Sequence, residues 1–79
     1  MKKKIAIIGS TGSIGKSLLK IIKKDKNIDV VLLSANKNYK ELFKQAKLFK
    51  VKNLIVTDLQ SFKKSLILNK NKKYNIYNT

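Results

Sequence analysis

The chain contains no cysteine, histidine or arginine, and only four acidic residues. Without cysteine there is no disulfide staple, no thiolate metal site and no sulfur nucleophile. Without histidine the usual general base and the commonest metal ligand are missing. The acids Asp25, Asp29, Glu41 and Asp58 stand singly, so no carboxylate pair is available for acid–base work. No apolar run is long enough to cross a membrane. Met1-Lys2-Lys3-Lys4 followed by four apolar residues imitates the start of a secretory signal. The apolar part is too short, however, and Gly9-Ser10-Thr11-Gly12 interrupts it. A soluble, cytoplasmic protein with no membrane partner is the expectation.

Against its four acids the chain sets 19 lysines, for a net charge of +15. A nucleic-acid binder has this bulk charge. Here, though, the lysines occur in ones, twos and threes along the whole chain, mostly on the solvent side of expected helices. Arginine, the better residue for bidentate recognition of bases or phosphates, is absent. Lysine, asparagine and isoleucine run high together, which reads as compositional bias. The expectation is a solvated basic surface and no nucleic-acid partner.

What is present is organised around Ile5-Ala6-Ile7-Ile8-Gly9-Ser10-Thr11-Gly12-Ser13-Ile14-Gly15. Four apolar residues read as a short strand, and three glycines at three-residue spacing follow. A helical pattern then begins, with Ile14, Leu18, Ile21 and Ile22 as its apolar stripe. Strand, glycine turn and helix together offer bare backbone N–H groups and a helix N-terminus to a phosphate.

The remaining elements follow in alternation. A strand is expected over 4–8, a helix over 12–24, and a nearly continuous apolar strand over 28–34, as for a strand buried on both faces. Asn38, with Glu41 three residues on, marks the start of a helix over 39–50. Its inner face is Tyr39, Leu42, Phe43, Ala46 and Phe49, whose helical spacing makes the aromatics core rather than stacking platforms. A third strand covers 53–57. Asp58 is placed to cap a helix over 59–68, with Leu59, Phe62 and Leu66 inward, and Tyr74–Tyr77 begins a fourth strand. The βαβαβα order predicts a Rossmann-like, three-layer αβα fold with a parallel sheet of three to four strands. Seventy-nine residues make one small domain, and a chain of this size buries only ~60% of its unfolded surface. A sheet this narrow keeps a long open edge, so the unit is expected to be incomplete, a fragment or a truncated product.

Several ligands compete for the glycine turn. The commonest dinucleotide fingerprint is G-x-G-x-x-G, whereas this turn has the G-x-x-G-x-x-G spacing also used by nicotinamide-dependent reductases. Gly15-Lys16-Ser17 matches the second half of a P-loop, and Leu54-Ile55-Val56-Thr57-Asp58 resembles a Walker B strand. The first P-loop glycine would fall on Ser10, where the phosphate-wrapping loop has no room for a side chain. At the end of the second strand, about 20 residues after the glycines, a carboxylate would select NAD. Ser34-Ala35 stands there instead, Asp29 is at the opposite end of the strand, and the next charge is Lys37. That pattern favours the 2′-phosphate of NADP.

Gly9-Ser10-Thr11-Gly12-Ser13-Ile14-Gly15 resembles the G-S-T-G-S-I-G signature of the 1-deoxy-D-xylulose 5-phosphate reductoisomerases. Val30-Val31-Leu32-Leu33-Ser34-Ala35-Asn36-Lys37-Asn38 is similar to that family's V-V-x-L-x-A-G-K-N stretch, and Gln45–Phe49 to its E-Q-x-x-x-F helix. The likeness extends along essentially the whole chain but covers only the N-terminal part of the family's NADPH domain. It implies that Thr11, Gly12, Ser13 and Ile14 contact the NADPH phosphates, and that Asn36, Lys37 and Asn38 hold the ribose 2′-phosphate end. Asn36 departs from the family's glycine, a change that asparagine's tolerance of left-handed backbone would accommodate. The implied activity is the NADPH-dependent isomerisation and reduction of 1-deoxy-D-xylulose 5-phosphate to 2-C-methyl-D-erythritol 4-phosphate, in non-mevalonate isoprenoid biosynthesis. Mg2+ or Mn2+ holds the sugar-phosphate substrate, and full-length members form homodimers. No residue here matches the family's catalytic, metal or substrate-phosphate ligands, so the chain by itself is expected to be inactive. Other readings stay open on the residues alone: another NAD(P)-dependent reductase, a P-loop NTPase, or a small basic nucleic-acid module.

Overall fold

A computed structural model describes residues 2–79. The elements alternate in the expected order: β1 (Lys3–Ile7), α1 (Ser13–Lys23), β2 (Ile28–Ala35), α2 (Tyr39–Phe49), β3 (Asn53–Val56), α3 (Leu59–Leu68) and β4 (Asn75–Tyr77). All three strand pairs are parallel, and the sheet runs in the order β1-β2-β3-β4. Because the chain advances in one direction across the sheet, right-handed crossovers put every helix on the same face. One core cluster results. Ile7, Val30, Leu33, Ala35, Leu54 and Val56 from the strands meet Leu19, Ile22, Leu42 and Ala46 from the helices.

Of the three layers expected, these residues build two. The other sheet face, with Ala6, Leu32, Ile55 and Tyr77, carries no helix among the described residues and is exposed or half-exposed. This changes the reading of β2, whose continuous apolar run suggested burial on both faces. A bulge shifts the β1–β2 register between Ile5↔Val30 and Ala6↔Leu32. The extra residue, Val31, resets the alternation, so that Val30, Leu33 and Ala35 all face inward. The run therefore records the bulge and a half-covered outer face.

Two helices are rotated relative to the periodicity reading. In α1 the buried line is Gly15, Leu19 and Ile22, while Ile14 (85% exposed), Leu18 and Ile21 (69%) point away from the core. The helix start sets that rotation. A Cβ on Gly15 would lie 2.5 Å from the Gly9 carbonyl oxygen and 2.6 Å from Ser10 Cα, so only the bare side of Gly15 fits against the preceding turn. In α3 the inner line is Ser61, Phe62 and Ser65, and Leu59 and Leu66 are exposed. Both serines bury cheaply because their hydroxyls bond locally. Ser61 Oγ donates to Asp58 Oδ2 at 2.8 Å, and Ser65 Oγ donates to the Phe62 carbonyl at 2.6 Å.

In α2 the expected face holds: Leu42 and Ala46 are fully buried, and Tyr39, Phe43 and Phe49 pack partly buried against the core. Phe43 and Tyr74 rings lie 5.4 Å apart, joining α2 to the segment before β4.

Leu33 and Leu54 are register partners at the centre of the sheet and fully buried. Leu33→Ala should lower the unfolding free energy by about 2–5 kcal/mol, whereas Ile21→Ala should change it by less than about 0.5 kcal/mol. Urea denaturation followed by circular dichroism checks both.

Candidate dinucleotide site

Parallel strands place every βα loop at one end of the sheet, and three loops meet there. The β1–α1 turn comes first. Ile7 pairs with Leu33, so Ser34 stands one position beyond the end of β1 and captures the chain as it leaves the sheet. Gly9 N–H donates to Ser34 Oγ at 2.9 Å, and Ser10 N–H donates to the Ser34 carbonyl at 2.9 Å. Ser10 is fully buried, and its hydroxyl donates to the same carbonyl at 3.3 Å. From α2, Gln45 Nε2 donates to the Ser10 carbonyl at 2.9 Å.

The three glycines have different reasons. Gly9 sits at φ +70°, a left-handed conformation that disfavours a side chain. Gly15 is required by the packing described above. Gly12 is required by neither. It has an extended backbone (φ −75°, ψ 172°), and a Cβ there would meet only the Gly9 carbonyl oxygen at an ordinary 3.5 Å. Nothing inside the protein demands that Gly12 be bare.

Gly12 is also the N-cap of α1, and no side chain caps the helix. Its own N–H is spent on the Gly9 carbonyl at 3.1 Å. The N–H groups of Thr11, Ser13, Ile14 and Gly15 have no partner among the described residues. Of these residues Ser13, Ile14 and Gly15 line a shallow hollow together with Ile7, Ile8 and Gly12, and Thr11 precedes it in the turn. Thr11, Ser13 and Ile14 thus stand together as candidate donors, while Gly12 contributes space rather than its N–H. Ser10, where a P-loop needs an open position, is locked on all sides.

The β2–α2 and β3–α3 loops form the second half of the site. Thr57 N–H donates to the Ala35 carbonyl at 3.0 Å, Asp58 N–H donates to the Asn36 carbonyl at 3.1 Å, and Thr57 Oγ1 donates to Asn36 Oδ1 at 2.8 Å. Asn36 does not use left-handed backbone, since Lys50 and Lys72 are the non-glycine residues at positive φ among those described. Its side chain fits the turn by accepting the Thr57 hydroxyl. Asn38 Oδ1 accepts the Glu41 N–H at 3.3 Å as the cap of α2. Each amide oxygen accepts one protein hydrogen bond, while the NH2 groups of Asn36 and Asn38, on either side of exposed Lys37, donate to no partner among the described residues. Two free NH2 groups and an ammonium suit a phosphate, although the Asp58 carboxylate also lies within reach of the Lys37 charge. Asp29 lies at the far end of β2, paired with Lys4.

Asp58 caps α3, its Oδ2 accepting the Ser61 N–H at 3.0 Å. Hydrogen bonds from the Ser61 hydroxyl and backbone hold its carboxyl below the ordinary value near 3.8, with smaller help from the positive charges of Lys37 and Lys64.

A parallel four-stranded sheet with an uncapped helix mouth and a glycine turn at its carboxyl end defines a Rossmann-like α/β protein. The sequence pattern of the family described as 1-deoxy-D-xylulose 5-phosphate reductoisomerase matches residues 5–78, and the chain belongs to that family. It is 64% identical over 77 residues to the 1-deoxy-D-xylulose 5-phosphate reductoisomerase of Pelagibacter ubique, covering 96% of this chain and 20% of the relative. It is 42% identical over 62 residues to the enzyme of Clostridium botulinum, covering 77% of this chain and 16% of that one. Among solved structures, the Zymomonas mobilis enzyme in complex with NADPH superposes with a TM-score of 0.87 at 25% identity, over 99% of this chain and 21% of the other. The chain thus spans about a fifth of the length of these relatives.

Gln45, Ser34 and Thr57 organise the site but were not singled out for it from sequence. Gln45 does leave a signal, a lone amide on an otherwise apolar helix face. Ser34 leaves none beyond standing where an acid would select NAD.

The lowered Asp58 pKa has a defined pH consequence. A depressed carboxyl stabilises the fold above its unfolded pKa, and that contribution is lost as pH falls through the folded value. Acid titration of unfolding should show Asp58→Asn losing less stability than the parent below about pH 4, while the two curves run parallel above pH ~6.

Proposed function

We propose that this chain is the NADPH-binding N-terminal part of a 1-deoxy-D-xylulose 5-phosphate reductoisomerase. Such an enzyme isomerises and reduces 1-deoxy-D-xylulose 5-phosphate to 2-C-methyl-D-erythritol 4-phosphate in isoprenoid biosynthesis. The observation that carries the reading is Gly12. The protein's own packing leaves its missing side chain unexplained, whereas a diphosphate approaching the uncapped mouth of α1 requires the space.

Thr11, Ser13 and Ile14 hold the diphosphate through backbone N–H groups, with Gly12 supplying clearance. Asn36, Lys37 and Asn38 hold the ribose 2′-phosphate, Lys37 by charge and the two asparagines through their free NH2 groups. Bound NADPH supplies the hydride for the reduction. These residues bind and orient it, and none of them is assigned a catalytic role. Among the described residues no group of three or more carboxylate, histidine or cysteine side chains comes together. We assign the Mg2+ or Mn2+ and the sugar-phosphate substrate to the remaining four-fifths of an enzyme the length of the relatives. The same reading carries a cytoplasmic homodimer, on family resemblance alone.

Titration of NADPH and NADH by nicotinamide fluorescence tests the site. Gly12→Val should abolish binding of both without loss of the folded circular dichroism spectrum. Lys37→Ala should weaken NADPH by about 1.5–3 kcal/mol and leave NADH nearly unchanged. Equal weakening of the two by Lys37→Ala contradicts the 2′-phosphate assignment.

A further inference from the structure

Gln45 lies on the inner face of α2, next to Ala46, and is 6% exposed. Burying a carboxamide is costly unless its polar atoms are paired. Only one is. Nε2 donates to the Ser10 carbonyl at 2.9 Å, and Oε1 has no hydrogen-bond partner among the described residues. An unbranched apolar side chain of the same length would spare the orphaned oxygen but leave the carbonyl of fully buried Ser10 without a donor. What the glutamine secures is therefore that carbonyl, at the cost of one unpaired oxygen of its own.

The bond has a geometric consequence. The Ser10 carbonyl and the Thr11 N–H belong to one peptide unit, which is planar and trans. In such a unit the C=O and N–H point in opposite directions. Gln45 draws the carbonyl inward toward α2, and the Thr11 N–H is thereby turned outward. That N–H is free, at the edge of the uncapped helix mouth. The adjoining Ser10 N–H and hydroxyl are both held by the Ser34 carbonyl, which fixes the other side of the residue. Ser10 is therefore held through its N–H and hydroxyl by β2 and through its carbonyl by α2, which fixes the orientation of the Ser10–Thr11 peptide.

We propose that Gln45 is a positioning residue for the dinucleotide diphosphate, acting through the Ser10–Thr11 peptide to aim the Thr11 N–H. The inference rests on the NADPH reading of the site and adds to it a residue of α2 that does not touch the cofactor. Its ligand is the diphosphate, which NADPH and NADH share. The effect of losing Gln45 must then be blind to the 2′-phosphate, unlike that of losing Lys37.

The test uses a full-length enzyme in which this chain replaces the matching N-terminal stretch of the Pelagibacter ubique relative, with and without Gln45→Met. Methionine keeps the length and flexibility of the side chain and removes the donor. The expected result is a rise of about tenfold in KM for NADPH and for NADH alike, with kcat and KM for the sugar phosphate within about twofold of the parent. An unchanged KM for both dinucleotides overturns the proposal. A fall in kcat together with a lowered melting temperature and no cofactor-specific change assigns Gln45 a structural role only, and also overturns it. Should Gln45→Met not fold, Gln45→Glu, which offers only acceptor oxygens when ionised, must give the same cofactor-specific loss. Failure of both variants to fold counts against the proposal. A parent enzyme that binds neither dinucleotide refutes the NADPH reading itself, and that outcome is distinct from the others.

Discussion

The rest of the structure depends on the contact between the first turn of α1 and the turn that precedes it. Gly15 has its Cβ position already occupied by the backbone of Gly9 and Ser10, so the helix is seated directly on the loop that feeds it. Much follows from that seating. It fixes which side of α1 faces the sheet, selecting Leu19 and Ile22 for the core and leaving Ile14, Leu18 and Ile21 outside. It also brings the uncapped end of the helix beside the end of β1, with Gly12 at the entrance. A turn held this tightly loses little further freedom when a ligand arrives, which favours binding.

The loops at the carboxyl end of the sheet divide their hydrogen bonds in a consistent way. Acceptors are used internally: the Ser34 carbonyl and hydroxyl oxygen, the Ser10 and Asn36 carbonyls, and the amide oxygens of Asn36 and Asn38 all receive donors from the protein. The N–H groups at the mouth of α1 and the NH2 and ammonium groups of Asn36, Lys37 and Asn38 remain as donors without a partner among the described residues. An anionic ligand with two separated phosphate groups matches that surplus. The overall charge of +15 contributes a general attraction for anions, but the directional donors distinguish this end of the sheet from the rest of a lysine-covered surface.

Strand and helix order, the caps at Asn38 and Asp58 and the inner face of α2 were legible in the sequence, because each is a local pattern of a few neighbouring residues. The glycine signature was legible as well, since its spacing is tied to one kind of turn. The α1 and α3 faces were legible only at Ile22 and Phe62. Periodicity treats an apolar stripe as an inner face, and in both helices the contact is set by a small residue instead, Gly15 in one and Ser61 and Ser65 in the other. The bulge at Val31 was hidden for a related reason, because an unbroken apolar run has no alternation whose phase could slip. The bonds of Ser34, Gln45 and Thr57 join residues more than 20 positions apart in the chain. They emerge only once the strands are in register. Asn36 shows the same limit at one position: a reading based on backbone tolerance gave way to a side-chain bond from another loop.

On the function proposed, bare amides at the mouth of α1 receive a dinucleotide's diphosphate. Amide-resolved NMR of the 15N-labelled protein during NADPH titration tests it most directly. The account predicts the largest shifts at the Thr11, Ser13, Ile14 and Gly15 amides, with Gly9 and Ser10 moving less because Ser34 already holds them. Shifts spread across the lysines of the helices, with these four amides unmoved, would contradict it.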